Sequence, residues 1–108
     1  MSQGTEDESV VVRSSAADTD GESVVLEIRL PALAPGAPPH VHPEQEERLQ
    51  VLQGTLLLRV DGHDRVIGPG ERWTVPAGVA HAYSNPTTEP VHFVLETTPA
   101  HGPTIEVA

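Results

Sequence analysis

The stretch HVHPEQEERLQVLQG, residues 40–54, places two histidines on either side of one valine, then a cluster of acids, and ends in a glycine. On a β-strand, residues two apart point to the same side, so His40 and His42 share one space while Val41 faces away. A tight turn around residues 43–45 brings a carboxylate of the next strand back over the imidazoles. Two imidazoles and a carboxylate form half of the ligand shell of a divalent metal.

A second stretch, GERWTVPAGVAHAYSN at residues 70–85, supplies a further candidate ligand. His81 lies on a short strand that the sequence predicts after the Pro76-Ala77-Gly78 turn. Tyr83 lies two residues later and therefore shares the face of His81 on a strand. The sequence thus predicts two histidine-bearing segments that meet at one site.

The rest of the chain consists of short β-type runs separated by Gly, Pro and Asp. Residues 24–30 alternate, with Val24, Leu26, Ile28 and Leu30 on one face and Val25, Glu27 and Arg29 on the other. Asp61-Gly62 between two apolar runs predicts a β-hairpin. No stretch of ten residues shows a clean helical period. Nine or ten short strands in one small domain indicate an all-β sandwich or barrel.

The two stretches together resemble the two signature motifs of the cupin superfamily. The first motif, G(X)5HXH(X)3–4E(X)6G, is matched by His40, His42, Glu47 and Gly54, except that its opening glycine falls on Ala34. The second motif, G(X)5PXG(X)2H(X)3N, is matched throughout, by Gly70, Pro76, Gly78, His81 and Asn85. The departure at Ala34 changes the loop that leads to His40 and leaves the candidate ligands in place.

The resemblance implies a single cupin domain, a double-stranded β-helix (jelly-roll) barrel that binds a metal inside. The metal ligands it implies are His40, His42, Glu47 and His81. Three nitrogens and one oxygen suit Fe, Mn, Ni, Co, Cu or Zn on ligand type alone. Such a shell leaves one or two positions open for water, dioxygen or a small-molecule substrate.

Several neighbouring residues compete for roles at this site. Glu46 fits the shorter spacing of the first motif, but the distance to Gly54 favours Glu47. Side chains expected to line the pocket are Leu49, Trp73 and Tyr83, although core packing alone also explains these large residues. The remaining histidines are His63, beside the hairpin turn; His92, opposite the core face of its strand; and His101, in the tail. Asn85 is expected to bond to the backbone of a turn.

Length, charge and composition exclude several classes of protein. The 108 residues suffice for one domain, predicted over 9–108 after a flexible acidic arm at 1–8. The formal net charge of −10 disfavours binding to nucleic acid or anionic membranes. The absence of cysteine excludes disulfides and thiolate metal sites. No signal peptide or membrane span is recognisable, so a cytoplasmic location is the default expectation.

Three functions are compatible with these patterns. The first is a small metalloenzyme with dioxygenase- or isomerase-like chemistry, by analogy with other single-domain cupins. The second is a binding or sensor module, because no acid-base pair accompanies the metal shell. The third is a metal that only stabilises the barrel. A homodimer is the usual arrangement of small cupins, and Val25, Leu57 and Val94 are candidates for the buried patch.

Overall fold

In a computed structural model of the protein, the described residues are 9–14, 23–36, 38–99 and 106–107. The predicted arm at 1–8 and the tail histidine His101 lie outside them. Ten β-strands and no helix occur in the described part of the chain, and so no helix there could cross a membrane. The all-β prediction is therefore confirmed.

The strands are short, as the frequent turn residues predict. Their bounds are β1 (Ser9–Ser14), β2 (Val24–Leu30), β3 (His40–Val41), β4 (Glu46–Gln53), β5 (Leu56–Val60), β6 (His63–Ile67), β7 (Arg72–Val75), β8 (His81–Ser84), β9 (Val91–Thr98) and β10 (Glu106–Val107).

The strands form two antiparallel sheets of five strands each. The first sheet has the order β1-β2-β9-β4-β7, and the second has the order β10-β3-β8-β5-β6. Most neighbours within a sheet are distant in sequence, since only the β1–β2 and β5–β6 pairs join consecutive strands. Long connections that alternate between two sheets are typical of a jelly roll.

The hydrophobic core fills the space between the two sheets. In the first sheet, Ile28 is paired with Phe93, which is in turn paired with Val51 on the other side. In the second sheet, the inward residues Leu56 and Leu58 are fully buried. The inward-facing residues of β2, β4 and β9 alternate with half-buried or exposed ones, which is the period of two that a sheet requires.

The Asp61-Gly62 hairpin predicted from sequence joins β5 to β6. Both residues have positive φ, 51° at Asp61 and 78° at Gly62, as in the two-residue turns whose twist matches that of the strands. Val60 is paired with His63 directly across the turn. The hairpin prediction is confirmed.

Residues 31–39 lead from the first sheet to the second, towards His40. Ala34, which replaces the motif glycine, forms a bridge with Asn85 and accepts a hydrogen bond from its backbone N–H at 2.9 Å. The glycine that this segment needs is Gly36, whose φ is 74° and where an added Cβ would lie 1.9 Å from the Tyr83 carbonyl oxygen. The departure from the motif is thus a local shift of the glycine.

Candidate metal centre

The four predicted ligands meet between the two sheets. His40 lies on β3, His81 is paired with it on β8, and Glu47 lies on β4 of the opposite sheet. His42 follows β3, and its carbonyl accepts a hydrogen bond from the Gly78 N–H at 2.9 Å, which joins the two motif segments. One ligand atom from each of the four lies within 4.8 Å of the others.

Glu47 is the centre of the cluster, because its two carboxylate oxygens face different histidines. Oε1 lies 2.8 Å from His81 Nε2, and Oε2 lies 3.1 Å from His42 Nε2. These three side chains are buried, with residue exposures of 3% for Glu47, 2% for His81 and 7% for His42. The competing carboxylate Glu46 instead faces outward and lies 3.3 Å from Arg48 Nε.

The outer ring nitrogens of the buried histidines have partners too. His81 Nδ1 lies 3.0 Å from the Val79 carbonyl oxygen, and His42 Nδ1 lies 3.1 Å from Gln45 Oε1. Carbonyl oxygens only accept hydrogen bonds, so each Nδ1 donates. In both rings Nε2 is therefore directed at the centre of the cluster, and outer partners of this kind orient metal-binding histidines.

Charge and burial act in opposite directions on Glu47 and His81. Burial on its own raises the pKa of Glu47, but the hydrogen bond and charge of His81, together with His42 and Tyr83, lower it below its ordinary value. Burial likewise disfavours a charged His81, but its hydrogen bonds to Glu47 and to the Val79 carbonyl raise the pKa. The two side chains thus form a mutually stabilised ion pair.

His40 is the most exposed member of the cluster. Burial, with help from the nearby His81, lowers the pKa of His40, so its ring is neutral at neutral pH. Its Nδ1 lies 3.5 Å from the Pro38 carbonyl oxygen, at the limit of a hydrogen bond. The cluster therefore meets solvent on the side of His40.

Tyr83 lies beside the cluster and is hydrogen-bonded to it. Its hydroxyl donates to Glu47 Oε1 at 3.2 Å, and its ring centroid lies 5.5 Å from that of Phe93 in the core. Burial raises the pKa of Tyr83 well above its ordinary value, so the phenol keeps its proton and remains a donor. Tyr83 marks the boundary between the polar cluster and the apolar core.

The donor set fits a divalent cation. The rings of His42 and His81 face oxygen acceptors at both nitrogens, an arrangement that requires either two protons on each ring or a cation at Nε2. A metal about 2.1 Å from each ligand keeps the ligand atoms at most about 4.2 Å apart, so small side-chain movements are sufficient to close the shell. Three imidazoles and one carboxylate suit the first-row transition metals.

Leu49 and Trp73 occupy places that differ from that of Tyr83. Leu49 is buried in the core and is paired with Trp73 on the edge strand β7. Trp73 is half-buried, and the Arg65 guanidinium lies 5.5 Å from its ring centroid. Both residues border a groove of about 490 Å³, whose other lining residues are mainly outward-facing ones of the first sheet, such as Val94. That these two residues line the metal pocket stays a prediction.

The other polar residues singled out from sequence lie away from the cluster. His63 is exposed beside the hairpin turn. His92 faces outward, and its Nε2 lies 3.0 Å from Glu27 Oε1. These residues are therefore not part of the candidate metal centre.

Asn85, the last residue of the second motif, organises the turn after β8. It is fully buried; its amide nitrogen donates to the Pro31 and Glu89 carbonyl oxygens at 2.9 and 2.7 Å. Its side-chain oxygen accepts hydrogen bonds from the Thr87 N–H and hydroxyl. The expectation that Asn85 bonds to turn backbone agrees with these contacts. Asn85 follows the end of β8, and at a spacing of two residues it continues the inward face of His81 and Tyr83.

Gln45 is the residue of the site that sequence reasoning missed. It lies in the turn between His42 and Glu47, where the sequence predicts only a reversal of the chain. Its side chain is buried against His42 and donates to the Pro99 carbonyl oxygen at 2.8 Å. Because Pro99 is 54 residues away, no local pattern could reveal this contact.

Family and structure comparisons agree with this architecture. The family model described as a cupin domain matches residues 20–96, which is more than half of the chain. The chain therefore belongs to the cupin family. No curated protein matches it by sequence.

Solved structures with the same fold have different roles. A Klebsiella pneumoniae protein with a double-stranded β-helix domain aligns with a TM-score of 0.81 and 19% identity, over 100% of this chain and 84% of its own. The cupin domain of an XRE family transcriptional regulator from Enterobacter cloacae aligns with a TM-score of 0.72 and 25% identity, over 91% and 99%. An oxalate oxidase in complex with glycolate aligns with a TM-score of 0.75 and 22% identity. The alignment covers 99% of this chain but only 59% of the oxalate oxidase chain.

Proposed function

We propose that this protein is a small metalloenzyme that binds one divalent transition metal through His40, His42, Glu47 and His81. The observation that carries the proposal is the arrangement around Glu47, whose two oxygens each face the Nε2 atom of a buried histidine whose Nδ1 is already bonded outward. A metal ion bound at Nε2 would take the place of the second proton that each of these rings otherwise needs to face two acceptors. The fourth ligand, His40, lies on the solvent side, where a small molecule has access.

The bound metal would supply Lewis-acid or oxygen-dependent chemistry at the positions that the four side chains leave open. The residues of the chain would provide the surroundings. Tyr83 keeps its proton and holds Glu47 Oε1 in place by donating to it. Phe93 and the buried residues near it keep water away from the inner side of the cluster. This combination favours dioxygenase- or isomerase-like conversion of a small substrate.

A non-catalytic binding or sensor role is the second candidate. Among the described residues, the ionisable side chains that contact the cluster are the ligands themselves and Tyr83, whose proton is firmly held. A separate acid-base pair is therefore absent from that part of the chain. The match to the cupin domain of a transcriptional regulator supports the same role. Such a module would bind a small molecule at the metal without converting it.

Elemental analysis of untagged protein tests the metal site. We expect one metal per chain in the wild type and none in His81→Ala, because that variant loses a ligand and leaves Glu47 without its 2.8 Å partner. His63→Ala is the matched control, since His63 is an exposed histidine on the hairpin. Equal metal content in the wild type and His81→Ala would contradict the assignment of the site.

Turnover separates the enzyme from the binding module. Oxygen uptake and product analysis across a panel of small hydroxy- and oxo-acids and phenols, with iron-, manganese- or copper-loaded protein, should reveal conversion that His81→Ala lacks. Ligands that raise the melting temperature without product formation would favour the sensor. A metal that is only structural would give Mn(II)-loaded protein with no exchangeable water in relaxation measurements.

A homodimer is proposed for the assembled protein. Val25 and Val94 are half-buried on the outer face of the first sheet and border the groove described above, whereas Leu57 is on the outer face of the second sheet. Burial of these apolar side chains against a second copy would stabilise the dimer. Analytical ultracentrifugation at micromolar concentration should show the dimer, and a Val94→Glu substitution should dissociate it.

A further inference from the structure

A chain of two hydrogen bonds connects the candidate metal centre to the segment that follows β9. Gln45 Nε2 lies 2.8 Å from the Pro99 carbonyl oxygen, and Gln45 Oε1 lies 3.1 Å from His42 Nδ1. Gln45 and His42 are buried, with residue exposures of 8% and 7%. The contact between His42 and Gln45 is therefore shielded from bulk water, whereas the one to Pro99 is partly buried.

The chemistry of the three groups sets the direction of both hydrogen bonds. The carbonyl oxygen of Pro99 can only accept, so the amide nitrogen of Gln45 must be the atom that faces it. The amide oxygen of Gln45 is then left to face His42, and it too can only accept. His42 must therefore carry a proton on Nδ1 to make this bond. Its other nitrogen, Nε2, faces Glu47 Oε2 at 3.1 Å and is then the nitrogen available to a metal.

His42 differs in this respect from the other two histidines of the cluster. The Nδ1 atoms of His40 and His81 face backbone carbonyl oxygens two residues earlier, at Pro38 and Val79. Because those partners are backbone atoms, they do not depend on the side chains at positions 38 and 79. Among the contacts of the described residues, His42 is the one histidine of the cluster whose Nδ1 partner is a side chain.

We propose that Gln45 is a positioning residue that selects the Nδ1–H tautomer of His42 and so presents Nε2 to the metal. The proposal rests on the metal site proposed above. Pro99 lies just beyond the end of β9, and it is brought to Gln45 by the pairing of Glu46 with Thr98 between β4 and β9. A residue in a turn thus contributes to metal affinity without touching the metal.

The first test measures the His42 tautomer directly. Side-chain ¹⁵N correlation spectra of the Zn(II)-loaded protein distinguish a ring that keeps Nδ1–H and binds the metal through Nε2 from a ring that keeps Nε2–H. We expect His42 as the Nδ1–H tautomer in the wild type and a shift towards Nε2–H in Gln45→Leu. Finding His42 as Nε2–H in the wild type would overturn the proposal without reference to any variant.

The second test measures metal affinity by competition with a chelator, using Zn(II) as the probe. Loss of an outer partner of a metal-binding histidine typically weakens binding by about 10- to 100-fold, and we expect that loss in Gln45→Leu. Gln53→Leu is the matched control, since Gln53 is exposed at the end of β4 and should bind as the wild type does. Circular dichroism verifies that each variant is folded.

A conservative variant separates the role of Gln45 at His42 from its role in folding. In Gln45→Glu the carboxylate still accepts from His42 Nδ1 but cannot donate to the Pro99 carbonyl. We expect this variant to keep the wild-type tautomer and at least wild-type Zn(II) affinity. If Gln45→Glu loses affinity as Gln45→Leu does, the role assigned to His42 orientation is wrong.

The outcomes distinguish failure of this inference from failure of the proposed function. Equal Zn(II) affinity in the wild type and Gln45→Leu would overturn the positioning role and leave the metal site standing. A wild-type protein that binds no Zn(II) would overturn the proposed metal site, and the role of Gln45 with it.

Discussion

Strands β8 and β9 face the same interior but fill it with different chemistry. The inward residues of β9 are Val91, Phe93 and Leu95, all buried and apolar. Those of β8 and the residue after it are His81, Tyr83 and Asn85, which are all polar. Both segments keep the alternation of a strand, so the difference lies in the residue types alone.

The comparison indicates which part of the barrel supplies stability and which part supplies chemistry. An apolar side chain stabilises the fold wherever it is buried, because burial itself is favourable. A buried polar group costs free energy unless it has partners. The polar atoms of β8 have such partners, from Glu47 to the turn backbone around Asn85. Of these three residues, His81 belongs to the candidate metal centre and Tyr83 contacts it, whereas Asn85 does neither.

The largest effect is expected on the β9 side. Phe93→Ala removes the largest fully buried side chain and should lower the free energy of unfolding by about 3–5 kcal/mol. Denaturant titration of the metal-free protein measures the loss. Val66→Ala, at a residue that is 69% exposed, is the control and should change stability by less than about 0.5 kcal/mol. A loss of under about 1 kcal/mol for Phe93→Ala would argue against this core.

Metal binding should raise stability through the ligand cluster, to which β8 contributes His81 and β4 contributes Glu47. A metal at 100 times its Kd should raise the free energy of unfolding of the wild type by about 2.7 kcal/mol. His81→Ala should show no such gain, because its cluster lacks one of the four ligands. Thermal unfolding with and without added metal gives the comparison, with His63→Ala as the control that keeps the gain. An equal gain in His81→Ala would place the metal elsewhere.

Asn85→Ala should cost about 2 kcal/mol, since it leaves buried carbonyl and N–H groups of the turn without a partner. Ser84→Ala, one residue earlier and outward-facing, is the control. Denaturant titration of the two variants measures the loss, and the midpoint should fall in Asn85→Ala but not in Ser84→Ala. Metal affinity in folded Asn85→Ala should be close to that of the wild type; a loss as large as that of His81→Ala would show that the turn and the metal centre are not separable.

Tyr83→Phe tests the boundary between the two chemistries and should have the smallest effect, about 1 kcal/mol. The ring and its contact with Phe93 are kept, and only the hydrogen bond to Glu47 is lost.

The hydrogen bond from Tyr83 helps to hold the pKa of Glu47 below its ordinary value. A carboxyl with a lowered pKa contributes stability above its unfolded pKa and loses it as the pH falls through the folded pKa. The difference in the free energy of unfolding between the wild type and Tyr83→Phe should therefore be largest near neutral pH and should shrink in acid. Denaturant titration at several pH values measures this difference, and a difference that grows in acid would contradict the role given to the hydrogen bond.

Much of the fold follows from local patterns. The alternation in residues 24–30, the Asp61-Gly62 hairpin and the core face of β9 all depend on neighbours within a few residues, so strand geometry alone determines them. The four candidate ligands could be named from the sequence because the spacing of the two motifs is tied to the family's barrel. The preference for Glu47 over Glu46 agrees with the facing of β4.

Other features could not be predicted, because they depend on how distant strands are ordered. The sheet order β2-β9-β4-β7 places Leu49 between Leu95 and Trp73, and nothing near Leu49 in sequence encodes either neighbour. The shift from Ala34 to Gly36 becomes intelligible only from the close approach of Gly36 to the Tyr83 carbonyl.

The sequence by itself determined that this is an all-β cupin and which four side chains are its candidate metal ligands, since both depend on residue types at fixed local spacings. Only the tertiary structure shows the partner that holds the Nδ1–H of His42 and leaves Nε2 to a metal. That partner is the side-chain oxygen of Gln45, whose amide nitrogen donates to the Pro99 carbonyl oxygen 54 residues away. Gln45 and Pro99 come together because Glu46 on β4 is paired with Thr98 on β9, and this pairing of distant strands exists only in the folded chain.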